Sequence, residues 1–126
     1  MPDNPKPRPQ TPPVLITASP FDAVTPRGAV TGAWLMGQID IAAGLAGRRV
    51  SGGDALILAI KEMTFHAPLA AGLEFVIHAE LTRRGGSSFN LFLSAWAEPE
   101  AACTRILSAD VLLVAVDPQG KPRKLP

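Results

Sequence analysis

Apolar and polar residues alternate with a period of two through most of the second half of this chain. Over residues 73–83, Phe75, Ile77, Ala79 and Leu81 fall on one face and Val76, His78, Glu80 and Thr82 on the other, the pattern of a strand covered on one side. Residues 88–97 repeat it with Phe89, Leu91, Leu93 and Ala95. Residues 55–65 and 104–116 are largely apolar and bounded by turn signals, so both read as strands. Arg84-Gly85-Gly86-Ser87, the stretch from Pro68 to Gly72, and residues 98–101 punctuate them. A short strand is expected at 14–18, followed by a loop over 19–28 that carries Pro20 and Pro26.

The period changes across 31–46. Trp34, Leu35, Met36, Ile39, Ile41, Ala42, Ala43, Leu45 and Ala46 leave almost no polar side, and no proline interrupts them. This predicts a helix buried all round, with Gly47 as its C-terminal stop. One short strand, one long helix and four long strands joined by short turns predict an α+β fold. The strands should form an antiparallel meander, and the sheet should wrap around the single central helix that alone can cover its apolar face. An open two-layer α+β sandwich has similar parts.

Residues 1–13 stand apart. Prolines at 2, 5, 7, 9, 12 and 13 remove amide donors and resist helix and central strand, so a disordered lead-in is expected there, with the folded domain over 14–126.

Composition narrows the function classes. Hydrophobic residues make up 47% and charged residues only 18%, below the roughly 25% of an average soluble domain. So little charged surface favours a buried subunit interface. The net charge is +1 and the basic residues are scattered, which argues against nucleic acid. No apolar run nears the roughly 20 residues of a membrane helix, and the first residues lack the apolar core of a signal peptide, so neither is expected. One cysteine, Cys103, excludes an internal disulfide framework and fits a reducing, cytoplasmic setting. Nucleophile-elbow and phosphate-loop motifs are absent. Two histidines, His66 and His78, offer few parts for a metal site; each reads as an ordinary hydrogen-bonded strand histidine.

Asp40 is the anomaly. It is the only charged residue between Arg27 and Arg48, and it falls in the middle of the apolar helix. An unpaired carboxylate is costly in apolar surroundings. Gly37, Ala43 and Gly44 one turn away leave room for a water or a substrate carbonyl beside it; the alternative is a narrow solvent-facing stripe. The small residues Gly28, Gly32 and Ala33 at the helix start allow a ligand to approach free amides, where a developing negative charge is favoured. They equally permit tight helix–sheet packing.

Four blocks of sequence resemble the hotdog-fold acyl-CoA thioesterases of the acyl-CoA hydrolase type. They are the run from Gly28 to Asp40, Met63-Thr64-Phe65-His66-Ala67-Pro68, Gly85-Gly86-Ser87-Ser88 followed by Trp96, and the closing run from Val114 to Pro126. The resemblance implies hydrolysis of an acyl-CoA thioester without metal or bound cofactor, in a homodimer as the minimal unit, or a tetramer or hexamer. It implies that Asp40 acts as general base or nucleophile, with Thr25 near the same site and contributed by the other subunit. It implies backbone amides from Gly32, Ala33 and Trp34 for the carbonyl oxygen. Arg83, Arg84, Ser87, Lys121 and Arg123 are the expected contacts to the CoA portion. Departures are Arg27, Ala33, Ala67, Leu73, Ile57 and Lys61; Ala67 removes a common basic residue. A module that binds acyl-CoA or an acyl-carrier thioester without turnover, and an assembly subunit without ligand, are the competing readings.

Overall fold

A computed structural model describes residues 7–126. Its elements in chain order are β1 (Leu15–Ala18), α1 (Gly32–Ser51), β2 (Ala55–Phe65), β3 (Glu74–Arg84), β4 (Ser88–Ala97) and β5 (Thr104–Ala115). All five strands join one antiparallel sheet in the order β1-β3-β4-β5-β2, and α1 lies against its inner face. The wrapped-helix arrangement is therefore the one expected.

Only β3, β4 and β5 form a meander. The expectation that β2 would lead it by pairing with β3 is corrected: β2 pairs with β5 and closes one edge of the sheet. The connection over 66–73 crosses from one edge toward the other instead of turning tightly. It is held there by Val30 N donating to Leu69 O at 2.7 Å and by Ser19 Oγ donating to Ala70 O at 2.6 Å. β2 bends around the helix at two irregularities, one between Ile57 and Ala59 and one between Lys61 and Thr64. Glu62 takes a left-handed φ of 50° at the second, the local cost of the bend.

The helix begins at a Thr31 cap whose Oγ1 accepts from Trp34 N at 3.2 Å. It runs past Gly47 to Ser51 and ends at Gly52, which adopts φ 72° and donates its N–H to Arg48 O. Gly47 is thus not the stop. It is a close approach of helix to sheet: a Cβ there would lie 2.8 Å from Leu113 Cδ2. Ala42, Ala43 and Ala46 serve the same closeness. They let Leu35 and Ile39 interdigitate with Phe75, Phe89, Leu93 and Leu113 in one fully buried cluster.

The helix is not buried all round in the single chain. Leu35, Ile39, Ala42, Ala43 and Ala46 face the sheet, but Met36 (50% exposed), Ile41 (49%) and Leu45 (41%) do not. Ile60 lies opposite buried Val111 and so on the helix side of the sheet, yet it stays exposed because β2 is an edge strand. No helix among the described residues is long and apolar enough to cross a membrane.

The expected disordered lead-in falls partly on residues 1–6, which lie outside the described residues. Residues 7–13 carry neither helix nor strand. They run along the outer face of β3, where Arg8 Nη2 pairs with Glu100 Oε1 at 2.9 Å.

Candidate active site

The predicted site residues separate into two ends and a middle. At the N-terminal end of α1, Thr25-Pro26-Arg27-Gly28 forms a tight turn. Pro26 presets its first corner, Thr25 O accepts from Gly28 N at 2.8 Å, and Gly28 supplies a φ of 86°. Val24 then bridges Val30, and Thr31 N donates to Ala23 O, so the turn delivers the chain directly into the helix cap. Thr25 is half-buried in this hairpin.

The first helical amides cannot have intrahelical acceptors. That of Trp34 is already taken by the Thr31 hydroxyl, and that of Leu35 bonds to Thr31 O at 3.2 Å. Gly32 and Ala33 are the exposed positions with amides left for a ligand, and nothing lies within 4 Å of a Cβ built on Gly32. The helix has no acidic side chain in its first turn to compete for them. Trp34 instead contributes its ring, which packs on Phe75 with centroids 5.5 Å apart. Beside this helix start lies an apolar cavity of about 420 Å³ lined by Val30, Gly32, Leu35, Phe65, Pro68 and Leu69, among others.

His66 borders the same cavity. Its Nε2 lies 2.8 Å from Ser108 Oγ and its Nδ1 lies 3.4 Å from Arg105 Nη2. A guanidinium can only donate, so Nδ1 is the acceptor and Nε2–H donates to Ser108. Partial burial, then the Arg105 charge, hold the imidazole below its usual pKa. The hydrogen-bonded histidine expected from the sequence is present; its partners Arg105 and Ser108, about forty residues away in the chain, carried no sequence signal.

Asp40 occupies the middle. It is exposed on the outward face of α1, among Met36, Gly37, Ile41 and Leu45, and not enclosed within the chain as a helix buried all round would require. It stands eight residues beyond Gly32, about 12 Å along the axis at the usual helical rise.

Arg83, Arg84, Ser87, Lys121 and Arg123 gather at the opposite end, about 30 Å from Gly32 by the length of a 20-residue helix. Leu125 N donates to Gly86 O and Ala115 N to Ser87 O, which docks the closing segment on the β3–β4 turn. Arg84 Nη2 donates to the Pro126 carbonyl. Arg83 is held by Asn90 Oδ1 at 2.5 Å and Ser88 Oγ at 2.9 Å, and Arg123 Nε by Val116 O at 3.0 Å. One chain therefore brings the basic residues together and brings Thr25 to the helix start. It does not bring either group to Asp40.

The sequence profile of the thioesterase superfamily matches residues 27–104. The chain belongs to this superfamily. Among superfamily members it is 34% identical, over 104 residues, to the acyl-CoA thioester hydrolase YciA of Salmonella typhimurium, a match spanning 79% of this chain and 78% of the relative. Its structure superposes on the hexameric thioesterase y2039 from Yersinia pestis with a TM-score of 0.86 at 30% identity, covering 94% of this chain and 98% of that one. It also superposes on HI0827, a hexameric broad specificity acyl-coenzyme A thioesterase, with a TM-score of 0.87 over 93% of this chain and 88% of that one. At 21% identity this second likeness is one of fold. The thioesterase fold of this chain is the hotdog fold, a sheet wrapped on one helix. Among the described residues, no group of three or more His, Cys, Asp or Glu is placed to hold a metal ion.

Proposed function

We propose that this thioesterase-superfamily chain hydrolyses acyl-CoA to free acid and CoA, with Asp40 as general base, in a site completed by a second copy of the chain. The observation that carries the reading is the position of Asp40: a lone carboxylate at the centre of an exposed apolar helix face. A soluble protein rarely leaves Met36, Ile41, Leu45, Ile60 and Phe65 open together on one side. A second copy that covers this face would remove bulk water and strengthen every electrostatic interaction of the carboxylate. The hexameric state of the Yersinia pestis relative supports such an assembly here.

The 12 Å between Asp40 and Gly32 supports the same conclusion from geometry. A thioester carbon and its carbonyl oxygen are bonded neighbours, so a carbonyl held by the Gly32 and Ala33 amides lies beyond the reach of Asp40 in the same chain. A symmetric pair of subunits places the helix start and Thr25 of one beside Asp40 of the other. Asp40 then takes a proton from water, and the water oxygen bonds to the thioester carbon. The amides stabilise the oxyanion of the tetrahedral intermediate. The carbon–sulfur bond breaks, and the CoA sulfur leaves with the proton held by Asp40. Direct attack by Asp40, through an acyl anhydride, is the other route open to a carboxylate.

Turnover of acyl-CoAs from two to sixteen carbons tests the activity, and a single turnover in ¹⁸O-water tests for the covalent route. Label retained in Asp40 identifies an anhydride opened at the aspartyl carbon; label confined to the released acid is the outcome of the general base and of an anhydride opened at the acyl carbon, which trapping of the acyl group on Asp40 tells apart. No turnover on any chain length removes the enzyme reading in favour of a binding module for acyl-CoA or an acyl-carrier thioester.

The basic cluster carries a separate expectation. Phosphates of CoA are bidentate partners for arginine. Arg84→Ala with Lys121→Ala is expected to raise KM for acyl-CoA roughly 5- to 50-fold, the loss of one or two charge-assisted contacts. The same variant should leave kcat/KM unchanged for acyl-N-acetylcysteamine thioesters, which lack the nucleotide. Equal losses on both substrates would remove these residues from CoA binding.

A further inference from the structure

The outer face of the sheet holds a titratable group that the proposed chemistry does not use. His78 sits on β3 among the outward-facing residues, yet it is 1% exposed. Its neighbours on that side, Val76, Ser94 and Trp96, are also buried, Ser94 directly opposite it in register. The segment 7–13 runs over this region. Val14 N donates to Ile77 O at 2.8 Å where the segment enters β1, and Arg8 reaches both His78 and, on the β4–β5 turn, Glu100.

The contact fixes the state of the imidazole. Arg8 Nη1 lies 3.4 Å from His78 Nε2. The guanidinium has no lone pair to offer, so Nε2 must be the unprotonated acceptor and the ring must be neutral. Nδ1, which then bears the hydrogen, is buried with no hydrogen-bond partner. A proton on Nε2 would turn an acceptor into a donor facing a donor. It would also set two cations side by side in a buried site.

We infer that residues 7–13 form a pH-sensitive strap, docked on the outer face of the sheet while His78 is neutral and released when His78 takes up a proton. The groups that face the ring are few among the described residues. They are Arg8 from the strap, Glu80 from the same strand, the uncharged Ser94 from β4, and Glu100, which acts through Arg8. Burial first, then Arg8, lower the pKa of the ring; the Thr11 main chain and Glu80 pull the other way, with a net lowering. The Thr11 main chain is close to the ring but leaves Nδ1 without a hydrogen bond. The midpoint of release therefore lies below the roughly 6.5 of a free imidazole.

A nitroxide at position 10 reads the strap directly. In Gln10→Cys with Cys103→Ser, the label is expected to be slow at pH 7.5 and fast at pH 5, with one midpoint below about 6.5. His78→Gln keeps a neutral acceptor for Arg8, so its label should stay slow across the range. Arg8→Gln lies outside the core and threatens no folding. Its label should be fast at both pH values, and its His78 ring, followed in isotope-labelled protein, should titrate higher than in the wild type. A wild-type label indifferent to pH, or a His78→Gln label that loosens with the wild-type midpoint, overturns the latch.

Discussion

Asp40→Asn is expected to lower kcat for acyl-CoA hydrolysis by about 10²- to 10⁴-fold, the usual contribution of a positioned general base. The substitution keeps the shape of the side chain and removes only its capacity to take a proton. The fold should not register the change. Asp40 is exposed in the single chain and makes no hydrogen bond or ion pair among the described residues, so its replacement should alter stability by no more than about 0.5 kcal/mol. KM should change far less than kcat, because the carboxylate acts on water rather than on CoA. Steady-state kinetics with a thermal melt on the same preparation check both halves. Activity within tenfold of the wild type would remove Asp40 from the chemistry. A large fall in melting temperature would make it a structural residue.

Ile39→Ala is expected to cost roughly 2–5 kcal/mol of stability, the range for truncating a fully buried aliphatic side chain. Ile39 is 0% exposed and sits in the cluster that joins helix to sheet. The Ala-rich helix face is already in close contact with the sheet where Gly47 meets Leu113, which limits how far the helix can collapse into the space left behind. Ile41, two residues on, has the opposite exposure, and Ile41→Asp should spare the fold of the subunit while weakening its assembly. Urea unfolding over a range of protein concentrations separates the two. The Ile39→Ala deficit should be constant, whereas the Ile41→Asp deficit should be absent where the wild type is dissociated and grow to a plateau as concentration rises, because association stabilises the folded wild-type subunit by mass action and the variant only at higher concentration. Identical concentration dependence in both variants would mean that the exposed helix face is not an interface.

Much of this was legible without coordinates, because the signals were local. Strand periodicity put Phe75, Ile77, Phe89, Leu91 and Leu93 on the covered face, and all five are buried there. The turn signals bounding residues 55–65 marked β2, which runs from Ala55 to Phe65. Asp40 stood out because a single charge in an apolar helix needs a reason. The helix stop went to the wrong glycine. Gly47 and Gly52 look alike in sequence, and only the distance to Leu113 and the left-handed backbone of Gly52 tell a packing glycine from a capping one.

The sequence by itself determined the elements, the faces of the strands, the central helix and the family, because each rests on residues a few positions apart or on motif spacing along the chain. Tertiary structure alone decided the rest. It sent β2 to the far side of β5, since strand partners are chosen by sheet closure around the helix and not by chain order. It paired Arg105 and Ser108 with His66, and Arg8 with His78, across distances no local pattern spans. It also exposed the Asp40 face. A run of apolar side chains reads the same whether it packs inside its own chain or waits for another, and only the position of the sheet shows which half of the helix has been covered.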